Sequence, residues 1–263
     1  GVGVQNSSGD SYFETAESGL AGLSGNLYLR TGKSSSGSGI VNITTGYGEG
    51  GPGGDINLIV GVGEIGNGGD ISLRSGNATA NSGVGGNITL QAGYGLSTYN
   101  TAGGGVSVKG GAGQVTGGEI TIESGTSVQK GSGKVTVRSA NAGSAGGTGD
   151  LVLESGESTH GDTGDVLMSS GNAINGRGGD VKLFVGSGDY QNGGDIVLGA
   201  GNTTAAYKSG GRVVIEAGSG SNPTRGEGGI VNITSGAGSG AAGGDIFVTV
   251  GLGSGVVDGE IGR

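Results

Sequence analysis

The sequence predicts an all-β protein, a parallel β-solenoid (β-helix) of about sixteen glycine-rich units, and three observations lead there. First, a pattern of Gly, polar, apolar, any, apolar, any, small, Gly returns about every fifteen residues from one end of the chain to the other. Gly54-Asp55-Ile56-Asn57-Leu58-Ile59-Val60-Gly61 shows it in full. Second, the two apolar positions lie two apart, the spacing that puts both on one face of a strand. Third, the segments between copies are too short and too poor in apolar residues to form a helix.

Copies begin at Gly9, Gly25, Gly39, Gly54, Gly69, Gly86, Gly104, Gly118, Gly133, Gly149, Gly164, Gly179, Gly194, Gly211, Gly229 and Gly244, and a truncated copy starts at Gly259. The first apolar slot holds Leu27, Val41, Ile56, Ile71, Ile88, Val106, Ile120, Val135, Leu151, Val166, Val181, Ile196, Val213, Val231 and Ile246, with Ser11 the exception. The second runs from Phe13 and Leu29 through Leu58, Leu73, Leu90, Met168, Leu183 and Leu198 to Ile233 and Val248. β-Branched and aliphatic residues in such slots fit a pleated, half-buried surface. The small position two residues further on, Val60, Ser75, Ala92 or Ala217, belongs to the same inward face, and Asn57, Ser72, Thr89, Thr121, Lys182 and Asn232 lie on the solvent side.

Self-similarity at this period overrides any domain count drawn from length. The chain therefore reads as one array over 1–263: 1–8 is the tail of a preceding unit, 9–132 a first eight-unit block, 133–258 a second, and 259–263 the start of another. The block reading rests on length and on sequence. The long units at Gly69 and Gly86 recur 125 residues later at Gly194 and Gly211, and residues 53–61 answer residues 178–186. With neither initiator Met nor signal peptide, the chain is expected to be a mature product or an excised piece, and its mid-unit opening and closing lead to the expectation that more chain or another subunit continues it in both directions.

Identical strands in tandem favour a parallel coil, since an antiparallel meander would make alternate units differ. Two units per coil let two Ile/Leu faces meet across about 10 Å, with the loops as edges. Two aliphatic side chains cannot offset the ordering of a whole unit. Stability in such an array therefore has to come from the backbone ladder and from neighbouring coils, and open ends favour addition.

Composition excludes several classes. Glycine contributes 71 residues and proline 2 without a Gly-X-Y period, so collagen is excluded. With no cysteine there is neither a disulfide framework nor a thiolate metal site. A net charge of −9 argues against a nucleic-acid partner, and no apolar run approaches the roughly 20 residues that span a bilayer.

The most regular ionisable feature is an acidic row ahead of the apolar slots: Asp10, Asp55, Asp70, Asp150, Asp165, Asp180, Asp195 and Asp245, with Glu119. A calcium ladder would draw its carboxylates from Asp55, Asp70, Asp150, Asp165, Asp180, Asp195 and Asp245. The plainer reading is favoured: each carboxylate accepts a turn N–H, as Asn26 and Asn87 would. Ile40, Gly105, Lys134, Arg212 and Ile230 stand in the same slot elsewhere, which breaks a ladder of ions. No cofactor is expected, and Ca2+ is the alternative. Six Asn-X-Ser/Thr sequons mark candidate glycosylation sites at Asn6, Asn42, Asn77, Asn87, Asn202 and Asn232, of which Asn6, Asn77 and Asn202 lie in loops.

Catalytic constellations are missing from the pattern. His160 is the single histidine and sits in a loop, where a hydrolytic triad has no preorganised frame. The glycine strings, such as residues 50–54, lack the Lys-Ser/Thr of a phosphate loop. Tyr47, Tyr94, Tyr99, Tyr190 and Tyr207 are scattered through loops. An ice-binding face would need ranked threonines, but the outward column mixes Tyr28, Asn42, Val152, Leu167 and Lys182.

Across nearly the whole chain the Gly-Gly-Asp-Ile-X-Leu-X-Ser-Gly unit resembles the glycine-rich solenoid repeats of surface fibres, including protist or algal extracellular filaments and phage tail fibres. The resemblance is at the level of a class and implies a structural or adhesive role with no active site. The expectation is a non-enzymatic component of an extracellular fibre or filament, at the cell or virion surface, assembled by end-to-end continuation of β-coils. Its partners would be further copies of itself and attached glycans. The first alternative is an adhesin or glycan-binding fibre module using the long loops at 77–83, 94–101, 202–209 and 221–227; the second is an ice-binding solenoid.

Overall fold

The computed structural model describes residues 9–97 and 101–252. Among these residues there is neither helix nor β-strand, and the backbone consists of irregular segments joined by bends and turns. This overturns the β-solenoid (β-helix) and, with it, the two-unit coil. No backbone ladder joins one repeat to the next, so there are no β-coils to stack or extend.

The reason lies in what each unit can bury. No described residue is buried, apolar or polar. The accessible surface is 27187 Å², against roughly 10,000 Å² for a folded monomer of 24.8 kDa and roughly 36,000 Å² for its extended chain. Each unit places two aliphatic side chains among many glycines, whose backbone loses the most freedom on ordering. Without a second apolar face packed against them, that loss is not recovered.

The two-residue periodicity nevertheless survives as a difference in exposure. First-slot residues are the more shielded, from 47% exposed at Val231 to 65% at Leu27, while the intervening Ile59, Leu167, Phe184, Val197 and Phe247 stand at 84–86%. Val152 and Val214, less exposed than these, break the alternation. The first slots thus recur along the sequence as a row of aliphatic side chains, each about half exposed, while second-slot residues reach 89% at Phe13 and 90% at Val248.

Order is concentrated where a loop leaves and re-enters the repeat, a point termed here the neck. At seven necks the leading glycine of a unit donates its N–H to the carbonyl that follows the preceding small slot. The pairs are Gly86 to Gly76 (2.9 Å), Gly104 to Gly93 (2.9 Å), Gly118 to Gly111 (2.8 Å), Gly133 to Gly125 (2.9 Å), Gly211 to Gly201 (2.8 Å), Gly229 to Gly218 (2.8 Å) and Gly244 to Gly236 (2.9 Å). At some necks the small slot presses against the leading glycine. A Cβ on Gly86 would lie 3.2 Å from Ser75 Cβ, and one on Gly211 3.3 Å from Ala200 Cβ.

The chain divides into two units, Gly1–Lys134 and Val135–Arg263. In the first, the necks at Gly86, Gly104, Gly118 and Gly133 are closed; in the second, those at Gly211, Gly229 and Gly244. Among the described residues, left-handed backbone appears only in loops. Gly66 turns at φ +92° and Gly161 at +103°, and Asn175 and Tyr207 adopt φ 58°, a region in which asparagine is at ease and tyrosine is not.

Candidate functional site

The acidic row does not converge. Each aspartate begins its own unit about fifteen residues from the next, and among the described residues no three His, Cys, Asp or Glu side chains gather into a group that would hold a metal ion. Asp55, Asp70, Asp150, Asp165, Asp195 and Asp245 make no side-chain hydrogen bond or ion pair. Two members of the row do have partners. Asp10 accepts from the Tyr12 hydroxyl at 3.3 Å, and Glu119 from Thr121 Oγ1 at 3.1 Å.

Asp180 is the best-partnered acid of the row. Its Oδ1 pairs with Arg177, three residues earlier in the same loop, and its Oδ2 lies 2.9 Å from Lys182 Nζ. A carboxylate between two cations already has its charge balanced, and the exposure of Arg177 (82%) and Lys182 (62%) keeps the pairing weak.

The loop between Arg30 and Ser38 encloses a recess of about 580 Å³ lined by Arg30, Thr31, Gly32, Lys33 and Ser38. Every one of these residues is exposed, and Thr31 Oγ1 is occupied by a hydrogen bond to the Gly39 carbonyl at 3.4 Å. His160 is exposed as well, with Nδ1 3.3 Å from its neighbour Thr159 Oγ1. No carboxylate orients that ring. Tyr94 is hydrogen-bonded by Gln91 from within its own unit, so it does not stand alone as a stacking platform.

The sequons fall into two groups. Asn42, Asn87 and Asn232 lie within the segments that carry the apolar row, while Asn77 and Asn202 open loops whose necks are closed. Asn6 lies outside the described residues. All five described asparagines are exposed. What the repeat pattern alone missed is the neck itself. The small slot does not line a coil; at necks such as Gly86 and Gly211 it abuts the leading glycine of the next unit. The signal is present as a glycine at each end of nearly every loop, Ala16 and Ala140 being the exceptions.

Among the described residues no helix is long and apolar enough to cross a membrane. No family model matches the chain, and neither a curated protein nor a solved structure matches it.

Proposed function

We propose that the chain is a structural, non-enzymatic component of an extracellular fibre or filament, in which copies associate by covering one another's apolar rows. The observation that carries this reading is the row itself. Fifteen of the sixteen units put Ile, Val or Leu in the first slot, and within a single chain each of them stays about half exposed. Exposed apolar surface repeated along a chain is costly in water and is relieved when like surfaces meet. An enzyme needs a few groups held in one geometry, and the polar side chains here are instead spread one set per unit.

Sedimentation of the full chain over a range of concentrations tests the proposal, with electron microscopy of the pelleted material. Concentration-dependent assemblies of regular width are expected, together with slowed amide exchange along the row segments. Replacing Ile56, Ile71, Ile88 and Ile120 by Asp should abolish assembly, because each new charge would have to be desolvated in the contact. A monodisperse monomer at every concentration would overturn it.

A further inference from the structure

We infer that Asn77 and Asn202 carry N-linked glycans, an inference that rests on the extracellular reading above and adds a modification to it. The two sequons, Asn77-Ala78-Thr79 and Asn202-Thr203-Thr204, stand 125 residues apart in equivalent loops. Each asparagine directly follows the neck carbonyl. Gly76 accepts from Gly86 at 2.9 Å, and Gly201 accepts from Gly211 at 2.8 Å. Each sequon then ends one residue before a bend and turn, over 80–82 in the first loop and 205–207 in the second. In the first loop that turn is held by Gly83 N–H to the Ala80 carbonyl at 3.0 Å, and in the second Ala205 N–H donates to Thr203 Oγ1 at 3.2 Å.

The acceptor groups themselves are free. Asn77 and Asn202 are exposed and make no side-chain hydrogen bond, and neither do the hydroxyls of Thr79 and Thr204 that complete the two sequons. The middle residue distinguishes these sequons from the other three described. In Asn42-Ile43-Thr44, Asn87-Ile88-Thr89 and Asn232-Ile233-Thr234 that residue is an isoleucine of the apolar row. Covering the row, as the proposed assembly requires, hides those sequons. Ala78 and Thr203 belong to no row, so the loop sequons stay available in either state.

The chemistry requires a sugar donor activated as a glycosyl diphosphate. The Asn Nδ2 forms a bond to the anomeric carbon as the bond from that carbon to the diphosphate oxygen breaks. The diphosphate leaves with the electron pair, and one amide proton passes to a base of the transferase. No oxidant or reductant enters, and the asparagine becomes a neutral, bulky and strongly hydrated branch.

The test is peptide mass spectrometry on the full chain from its native source, fractionated into cell interior and exterior, after amidase release of N-glycans in heavy-oxygen water. Heavy-oxygen Asp is expected at positions 77 and 202, at higher occupancy than at 42, 87 or 232. In the same host, Thr79→Ala and Thr204→Ala should each remove one glycan's gel shift and the double variant both, while Thr79→Ser retains its shift. Chain recovered outside the cell with Asn77 and Asn202 bare overturns the glycan inference alone. Chain confined to the cell interior and bare overturns it together with the extracellular reading. Occupancy at 77 and 202 no higher than at the row sequons overturns the choice of loops.

Discussion

Units that share one consensus differ in whether their necks close, and the difference follows the residues beside the neck. The necks at Gly86, Gly104, Gly118 and Gly133 are bonded, whereas those at Gly25, Gly39, Gly54 and Gly69 are not; the second half repeats this, with Gly211, Gly229 and Gly244 bonded and Gly149, Gly164, Gly179 and Gly194 open. At every closed neck the small slot is Ser75, Ala92, Gly110, Ser124, Ala200, Ala217 or Ser235, and the residue before the leading glycine is Gly or Ser. Seven of the eight open necks carry a β-branched residue at one of these two places: Thr15, Thr31, Thr45, Val60 or Val185 in the slot, Thr148 or Thr163 before the glycine. At two of these necks, Gly69 and Gly194, a γ-methyl crowds the leading glycine. Val60 Cγ1 and Val185 Cγ1 each lie 2.8 Å from where a Cβ on the facing glycine would be, closer than any small slot at a bonded neck brings a side-chain atom. At these two necks we expect that methyl to keep donor and acceptor apart.

The largest effect is expected from filling a closed neck. A Cβ on Gly110 would come within 2.3 Å of the Gly118 carbonyl oxygen, so Gly110→Val must open that neck. The Gly118 amide should then lose the protection of one backbone hydrogen bond, on the order of 1 kcal/mol or roughly fivefold in exchange rate. Unchanged exchange at Gly118 would show that the bond is not what holds the loop.

The converse change is smaller, because a new bond has to offset the ordering of its loop. Val60→Ala and Val185→Ala remove the obstructing methyls and should close the necks at Gly69 and Gly194. Amide exchange at those two glycines should slow by a few-fold, corresponding to about 0.5–1 kcal/mol each. Val60→Thr, which keeps the branch, should leave exchange as it is. If Thr and Ala behave alike at position 60, the steric account fails.

Much of this contrast is written in the sequence, but in a form that periodicity does not decode. The unit boundaries, the apolar row and the return of Val60 as Val185 are all visible in the repeat. An eight-unit block predicts that whatever Val60 does locally recurs at Val185, and both face glycines at the same distance. The strand ladder that the alternation predicts does not form among the described residues. Alternation of Ile56 and Leu58 with Asn57 assigns side chains to faces, yet it says nothing of whether a backbone fifteen residues away comes within bonding distance. That depends on packing which two aliphatic residues per unit do not supply. For the candidate site, the sequons were legible as motifs, and the placement of Asn77 and Asn202 beside closed necks emerged only from the bonds to Gly76 and Gly201.

The neck at Gly179 is the exception to the β-branch rule, and it yields the smallest and most discriminating prediction. Its slot is Ser170 and its preceding residue Gly178, a combination that closes elsewhere, and a Cβ on Gly179 would already lie 3.4 Å from Ser170 Cβ. What sets this neck apart is the ion pair that brackets it: Arg177 before the two glycines holds Asp180 after them, and Lys182 holds the other carboxylate oxygen at 2.9 Å. Tying residue 177 to residue 180 fixes the path of the chain through Gly179 and competes with the turn its N–H must make to reach Gly171. Exposed pairs of this kind contribute about 0.2–1 kcal/mol and weaken with salt, so the competition is close. Asp180→Asn, or wild type in high salt, should therefore slow amide exchange at Gly179 up to about fivefold while leaving the Val185-blocked neck at Gly194 unaffected. Equal responses at the two glycines would assign the effect to general screening and remove the ion pair as the cause.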